Sequence, residues 1–181
     1  MKKFLKTDEW NVIEESFHAD NLRAFESIFS LGNGRLGQRG NFEETYSSDT
    51  LQGSYLAGIS YLDKTRVGWW KNGYPNYFTR IPNAPNWSGI IVRLIDEELD
   101  LALWDVDSFE RRLDMKEGIS YRDFQVTSPK GHKLKVHVEH ITSMANQNLC
   151  IIKYSITSVN YEGKISLVPY INGDVKHETS N

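Results

Sequence analysis

The chain has 181 residues, enough for one domain with a sizeable core and too few for a second full one. Its 21 Lys and Arg against 24 Asp and Glu leave a net charge of −3 with no run of like charge, which excludes the basic footprint that nucleic acid or an anionic membrane surface requires. The one cysteine, Cys150, rules out an intrachain disulfide framework and, beside Leu149, Ile151 and Ile152, reads as a small core hydrophobe.

The N-terminal MKKFLKTDEWNV lacks an apolar stretch of signal-peptide length, and no later segment approaches a membrane span, so a cytoplasmic location is expected. A first core strand is predicted at 25–31. The following glycines, Gly32-x-Gly34-x-x-Gly37, satisfy the spacing of a dinucleotide loop, but such a site needs a helix opening inside the glycines. Here Gly40 and Asn41 follow at once, and Ser47, Ser48 and Asp49 go on breaking helical periodicity. The glycines are therefore read as structural, supplying positive φ angles and close backbone packing.

A strand at 53–61 is followed by residues 62–89, which hold three of the five prolines and show no strand period. Their aromatic content, Trp69, Trp70, Tyr74, Tyr77, Phe78 and Trp87, argues for an ordered loop rather than disorder. Within it, DKTRVGWWKNGYP at 63–75 is the candidate binding site. Trp69, Trp70 and Tyr74 offer flat apolar faces, while Arg66, Lys71 and Asn72 offer donors to sugar hydroxyls or phosphate. The same rings would equally anchor the loop on the domain or on a partner subunit.

Strands are predicted next at 90–96 and 99–105, with Asp96-Glu97-Glu98 as the solvated turn between them, and then at 119–128. Leu134, Val136 and Val138 alternate with Lys133, Lys135, His137 and Glu139. Cys150, Ile152, Tyr154 and Ile156 repeat the pattern, and Ile165 with Leu167 begins another strand. Ser128-Pro129-Lys130-Gly131, Ala145-Asn146-Gln147-Asn148 and Asn160-Tyr161-Glu162-Gly163 are plausible reversals. No long amphipathic helix is evident. Short strands joined by tight turns imply an all-β, mainly antiparallel sandwich.

Of the paired carboxylates, Glu43 and Glu44 are expected to point to opposite faces if extended, and neither pair shows the surroundings that raise an acid's pKa. No catalytic residue is assigned. Arg39 is expected to bond backbone carbonyls or to pair with Glu43 or Glu44. His137 and His140, three apart along a strand, would diverge, so no metal site is assigned either.

FESIFSLGNGRLGQRGNFEE at 25–44, GSYLAGISYLDKTRVGWWKNGYP at 53–75, LDMKEG at 113–118 and PYINGDVKHETSN at 169–181 together resemble glycoside hydrolase family 65, along essentially the whole chain. The resemblance implies an N-terminal β-sandwich, here truncated and spanning 1–181, with the catalytic (α/α)6 barrel and its acid glutamate absent. It implies an inverting disaccharide phosphorylase, nearest the branch acting on maltose, with trehalose, nigerose or kojibiose phosphorylases and hydrolases as family alternatives. The implied partners are an α-linked glucose disaccharide, inorganic phosphate as co-substrate and a second copy in a homodimer, without organic cofactor or metal. A stand-alone carbohydrate-binding or interaction module is the alternative from another class.

Overall fold

The computed structural model describes residues 4–65, 73 and 75–175. In chain order the elements begin with β1 (Lys6–Thr7), β2 (Asn11–Glu14), helix α1 (Leu22–Ile28), β3 (Leu31–Gly32) and β4 (Leu36–Gln38). There follow β5 (Ser54–Leu56), β6 (Tyr61–Lys64), β7 (Tyr77–Arg80) and β8 (Ile90–Arg93). The long strands come last: β9 (Asp105–Asp114), β10 (Ile119–Thr127), β11 (Lys133–Thr142) and β12 (Cys150–Ser158), then β13 (Ser166–Pro169).

The main sheet has the antiparallel order β1-β2-β9-β10-β11-β12. Period-two alternation decides its inner face. Phe109, Phe124, Val126, Leu134, Val136 and Val138 are buried there, against a second layer made by Leu22, Phe42, Val92, Leu94, Leu99, Leu101 and Trp104. The outer face of the same strands carries Asp123, Gln125, Lys135 and His137, as a water-facing side requires. Smaller sheets, β3-β4-β5, β6-β7 and β8-β13, complete the all-β, mainly antiparallel sandwich.

Three strand expectations need correction. Residues 22–28 are helical rather than extended, because Leu22, Phe25, Glu26 and Phe29 recur at helical spacing and are all buried. Ser30 closes this helix by donating its hydroxyl to the carbonyls of Glu26 (3.1 Å) and Ser27 (2.8 Å). The segment 53–61 is split by a turn at Gly58, whose φ of 83° breaks the strand between β5 and β6. At 99–105 the chain turns instead of extending: Asp100 takes the amides of Leu103 and Trp104 on its carbonyl and that of Ala102 on its carboxylate, which lets Leu101 and Trp104 enter the core.

The strand β9 was not expected. Between Val106↔Val126 and Ser108↔Gln125 the register slips, leaving Asp107 as the extra residue of a bulge that shifts the alternation by one. Further along β9, an inward position is filled by Arg111, a charge where pattern reading seeks an apolar residue.

The glycine block is a hairpin, not a phosphate loop. The strands β3 and β4 pair through Leu31↔Gln38 and Gly32↔Gly37, with Gly34 at φ 83° in the turn. Buried Asn33 accepts the amides of Arg35 (3.1 Å) and Leu36 (2.8 Å) and donates to the carbonyls of Ser143 (2.8 Å) and Gln147 (3.2 Å). It thus ties the turn to the β11–β12 connection. Asn33→Ala is expected to destabilise the chain by about 1–3 kcal/mol, since it removes four hydrogen bonds that a buried side chain makes to partly buried backbone groups; an unaltered urea midpoint would refute this.

Candidate functional site

The candidate residues Arg66, Trp69, Trp70, Lys71, Asn72 and Tyr74 lie outside the described residues. What is described is the arm that carries them. Instead of the patternless loop expected at 62–89, β6 and β7 form a hairpin with Tyr61↔Arg80, Leu62↔Thr79, Asp63↔Phe78 and Lys64↔Tyr77 in register. Arg80 pairs with Asp63 at 2.6 Å, and the Thr65 amide bonds the Asn76 carbonyl at 2.9 Å. Tyr61 and Phe78 share one face of this ribbon, Leu62 and Tyr77 the other. The second of these faces stands open: Leu62 is 70%, Tyr77 55% and the following Ile81 59% exposed. A two-stranded ribbon is marginal in water by itself, and this one leaves an apolar face to solvent.

The base of the arm is fixed by polar side chains. The Ser54 amide donates to Asn83 Oδ1 (2.8 Å), Asn83 Nδ2 donates to the Gln52 carbonyl (2.9 Å), and the Ala84 amide donates to the Ser54 carbonyl (2.7 Å). Behind it, Gln38 Oε1 accepts from the Ser54 hydroxyl (2.5 Å) and from Trp87 Nε1 (3.1 Å). Trp87 therefore belongs to the base and not to the binding loop.

Beneath the arm lies a buried seam of charge. Arg122, inward on β10, donates to Glu43 Oε2 (2.5 Å), to Glu44 Oε2 (2.8 Å) and to Glu44 Oε1. Its guanidinium sits 4.6 Å from the Phe42 ring centre and 4.8 Å from that of Phe124. Arg111 on β9 forks onto Glu14 Oε2 at 3.0 and 2.7 Å and donates to the Gly40 carbonyl at 2.9 Å. The Tyr154 hydroxyl reaches Glu44 Oε2 at 3.1 Å, and His140 Nδ1 faces Glu43 Oε1 at 3.4 Å.

One expectation about these groups changes. Glu43 and Glu44 converge on one arginine instead of facing apart, because the backbone bends at 43–44 and is not a strand. Arg39 does bond backbone carbonyls, of Leu51 (2.8 Å) and Arg23 (2.7 Å), but its nearby carboxylate is Glu26 at 3.7 Å. The histidines do diverge: His140 is buried on the inner face, whereas His137 pairs outside with Asp123 at 2.7 Å. Asp96, Glu97 and Glu98 form a turn as expected, held by Lys130, His132 and Arg93 respectively.

Burial alone would push the Glu43 pKa up, but the Arg122 charge, helped by His140, outweighs it and holds the carboxyl down to about 2. Burial likewise lowers the Arg111 pKa against the opposing pull of Glu14. Burial, with Glu44 beside it, raises that of Tyr154. An ionised, enclosed Glu43 is unsuited to deliver a proton to a substrate. The seam locks two layers together.

The sequence profile of the domain described as glycosyl hydrolase family 65, N-terminal domain, matches residues 12–181. The chain belongs to that family. A maltose phosphorylase of Bacillus subtilis strain 168 is 42% identical over 99% of this family 65 chain, which spans 24% of that relative. A kojibiose phosphorylase of Halothermothrix orenii is 34% identical over 92% of the chain, and an α,α-trehalose phosphorylase of Thermoanaerobacter brockii 33% over 94%; of these two proteins the chain spans 20% and 22%. A solved structure provisionally assigned as a kojibiose phosphorylase from the human microbiome superposes with a TM-score of 0.77 at 31% identity, over 87% of this chain and 21% of that one. The family 65 chain thus covers about a quarter or less of the length of these relatives. No helix among the described residues is long and apolar enough to cross a membrane.

Proposed function

We propose that this chain is the N-terminal sandwich portion, spanning 1–181, of a cytoplasmic, homodimeric, inverting maltose phosphorylase, whose catalytic barrel lies outside these residues. Maltose and phosphate would give β-glucose 1-phosphate and glucose. The 42% identity to a maltose phosphorylase, against 34% and 33% to relatives acting on kojibiose and trehalose, is the observation that carries the substrate. Phosphate attacking opposite the leaving oxygen makes a second carboxylate unnecessary, so one general acid outside this chain suffices, with no organic cofactor.

Within such an enzyme the sandwich is a scaffold, and the β6–β7 arm docks on the partner subunit so that Arg66, Trp69, Trp70, Lys71, Asn72 and Tyr74 rim the pocket. The open apolar face of the arm, with Leu62 and Tyr77, supports this reading. In the full-length protein, maltose should be phosphorolysed in preference to trehalose, kojibiose and nigerose. Trp70→Ala should then make activity depend on protein concentration, with sedimentation showing monomer. A raised maltose KM with the dimer intact would reassign the loop to direct sugar contact. Wild-type kinetics and sedimentation would remove the arm from the function.

A further inference from the structure

Where the arm's base meets the charged seam there is a cavity of about 20 Å³, lined in part by Gln38, Glu43, Arg111, Arg122 and His140. Two side chains lining it are incompletely paired. Gln38 is 5% and His140 8% exposed, yet neither Gln38 Nε2 nor His140 Nε2 has a hydrogen-bond partner among the described residues.

The chemistry at both groups is fixed by what surrounds them. Gln38 Oε1 faces Trp87 Nε1 at 3.1 Å, and an indole nitrogen only donates. The amide cannot be turned round, so its unpaired end is the NH2, which needs an acceptor. His140 Nδ1 faces the ionised Glu43 carboxylate, which only accepts; Nδ1 therefore carries a proton. The remaining Nε2 accepts a hydrogen bond when the ring is neutral and donates one when it is charged. An occupant of this cavity must accept from Gln38 and either donate to or accept from His140. A cation fails the first requirement, an anion fails beside a neutral ring, and the volume admits about one molecule of water size.

We propose that this cavity is a binding site for one structural water molecule, which accepts from Gln38 Nε2 and bonds His140 Nε2. The water joins β4, whose Gln38 also holds Ser54 and Trp87 at the arm's base, to β11 of the main sheet. It would complete the polar connection between the arm and the Glu43–Glu44–Arg122 cluster.

A crystal structure of the full chain at atomic resolution tests this directly. A fully occupied density peak within about 2.7–3.2 Å of both nitrogens is expected. Absence of a peak with both side chains in their present positions would overturn the proposal, as would either nitrogen bonding directly to protein. Relaxation dispersion with ¹⁷O-labelled water supplies a second readout: Gln38→Met should lower the number of long-lived internal waters by one. An unchanged number in a folded Gln38→Met protein would count against the site, and if that variant fails to fold, the wild-type density decides.

Discussion

Arg122→Ala is expected to destabilise the chain by about 3–5 kcal/mol, enough to unfold a domain of ordinary stability. The reason is asymmetric. With the guanidinium present, Glu43 and Glu44 are compensated at 2.5 and 2.8 Å, and the cation also stacks near Phe42 and Phe124. Without it, two buried carboxylates remain side by side, with the Tyr154 hydroxyl and His140 near them but, among the described residues, no cation bonded to either. Removing the carboxylates as well should restore much of the loss, because a missing ion pair costs far less than a stranded charge. Urea titrations of Arg122→Ala and of the triple variant with Glu43→Gln and Glu44→Gln would decide. A single variant as stable as wild type, or a triple variant less stable than the single, would show that the seam contributes little.

The long strands of the second half were legible because their core residues keep strict period two. Leu134, Val136 and Val138 were placed inward from the sequence, and they are buried on the inner face. The same rule concealed β9, where a bulge at Asp107 breaks the period and an inward arginine breaks the polarity. It also misread 25–31, since a seven-residue helix with Leu22 and Phe25 on one side and Phe29 at its C-cap presents nearly as much apolar character as a strand. The family resemblance supplied what the pattern could not, because it rests on whole segments and not on periodicity.

Legibility was poorest at the charged seam. Glu43 and Glu44 were singled out in the sequence but judged from strand geometry, and the bend that turns both toward one residue is set by tertiary contacts. Their partner, Arg122, lies 78 and 79 positions away and sits in a run that reads as an ordinary half-exposed strand. Gln38 and Trp87 show the same limit: 49 positions separate them, and each looks unremarkable alone. Arg39 could be read further, since its use of backbone carbonyls follows from an arginine among glycines and turns, although its carboxylate neighbour could not be named.

Acid should unfold this chain through Glu43, and the direction follows from its depressed pKa. Its ordinary value is 4.5, and in the folded chain it is held down to about 2. Above the ordinary value both folded and unfolded chains carry the charge, and the stabilisation by Arg122 is complete. As pH falls below it, the unfolded chain takes up a proton that the folded chain refuses, so stability declines until the folded group titrates as well. Over that window the loss is on the order of 3 kcal/mol. Carboxylates on the outer surface such as Asp96 and the half-buried Glu139 are also held low by Lys130 and Lys153, but their pairs are open to solvent and screened by salt. Urea midpoints measured from about pH 5 down to about pH 2, at low and high salt, separate the two kinds of group. Glu43→Gln should flatten the pH dependence at either ionic strength, and a variant as steep as wild type would place the acid sensitivity elsewhere in the seam.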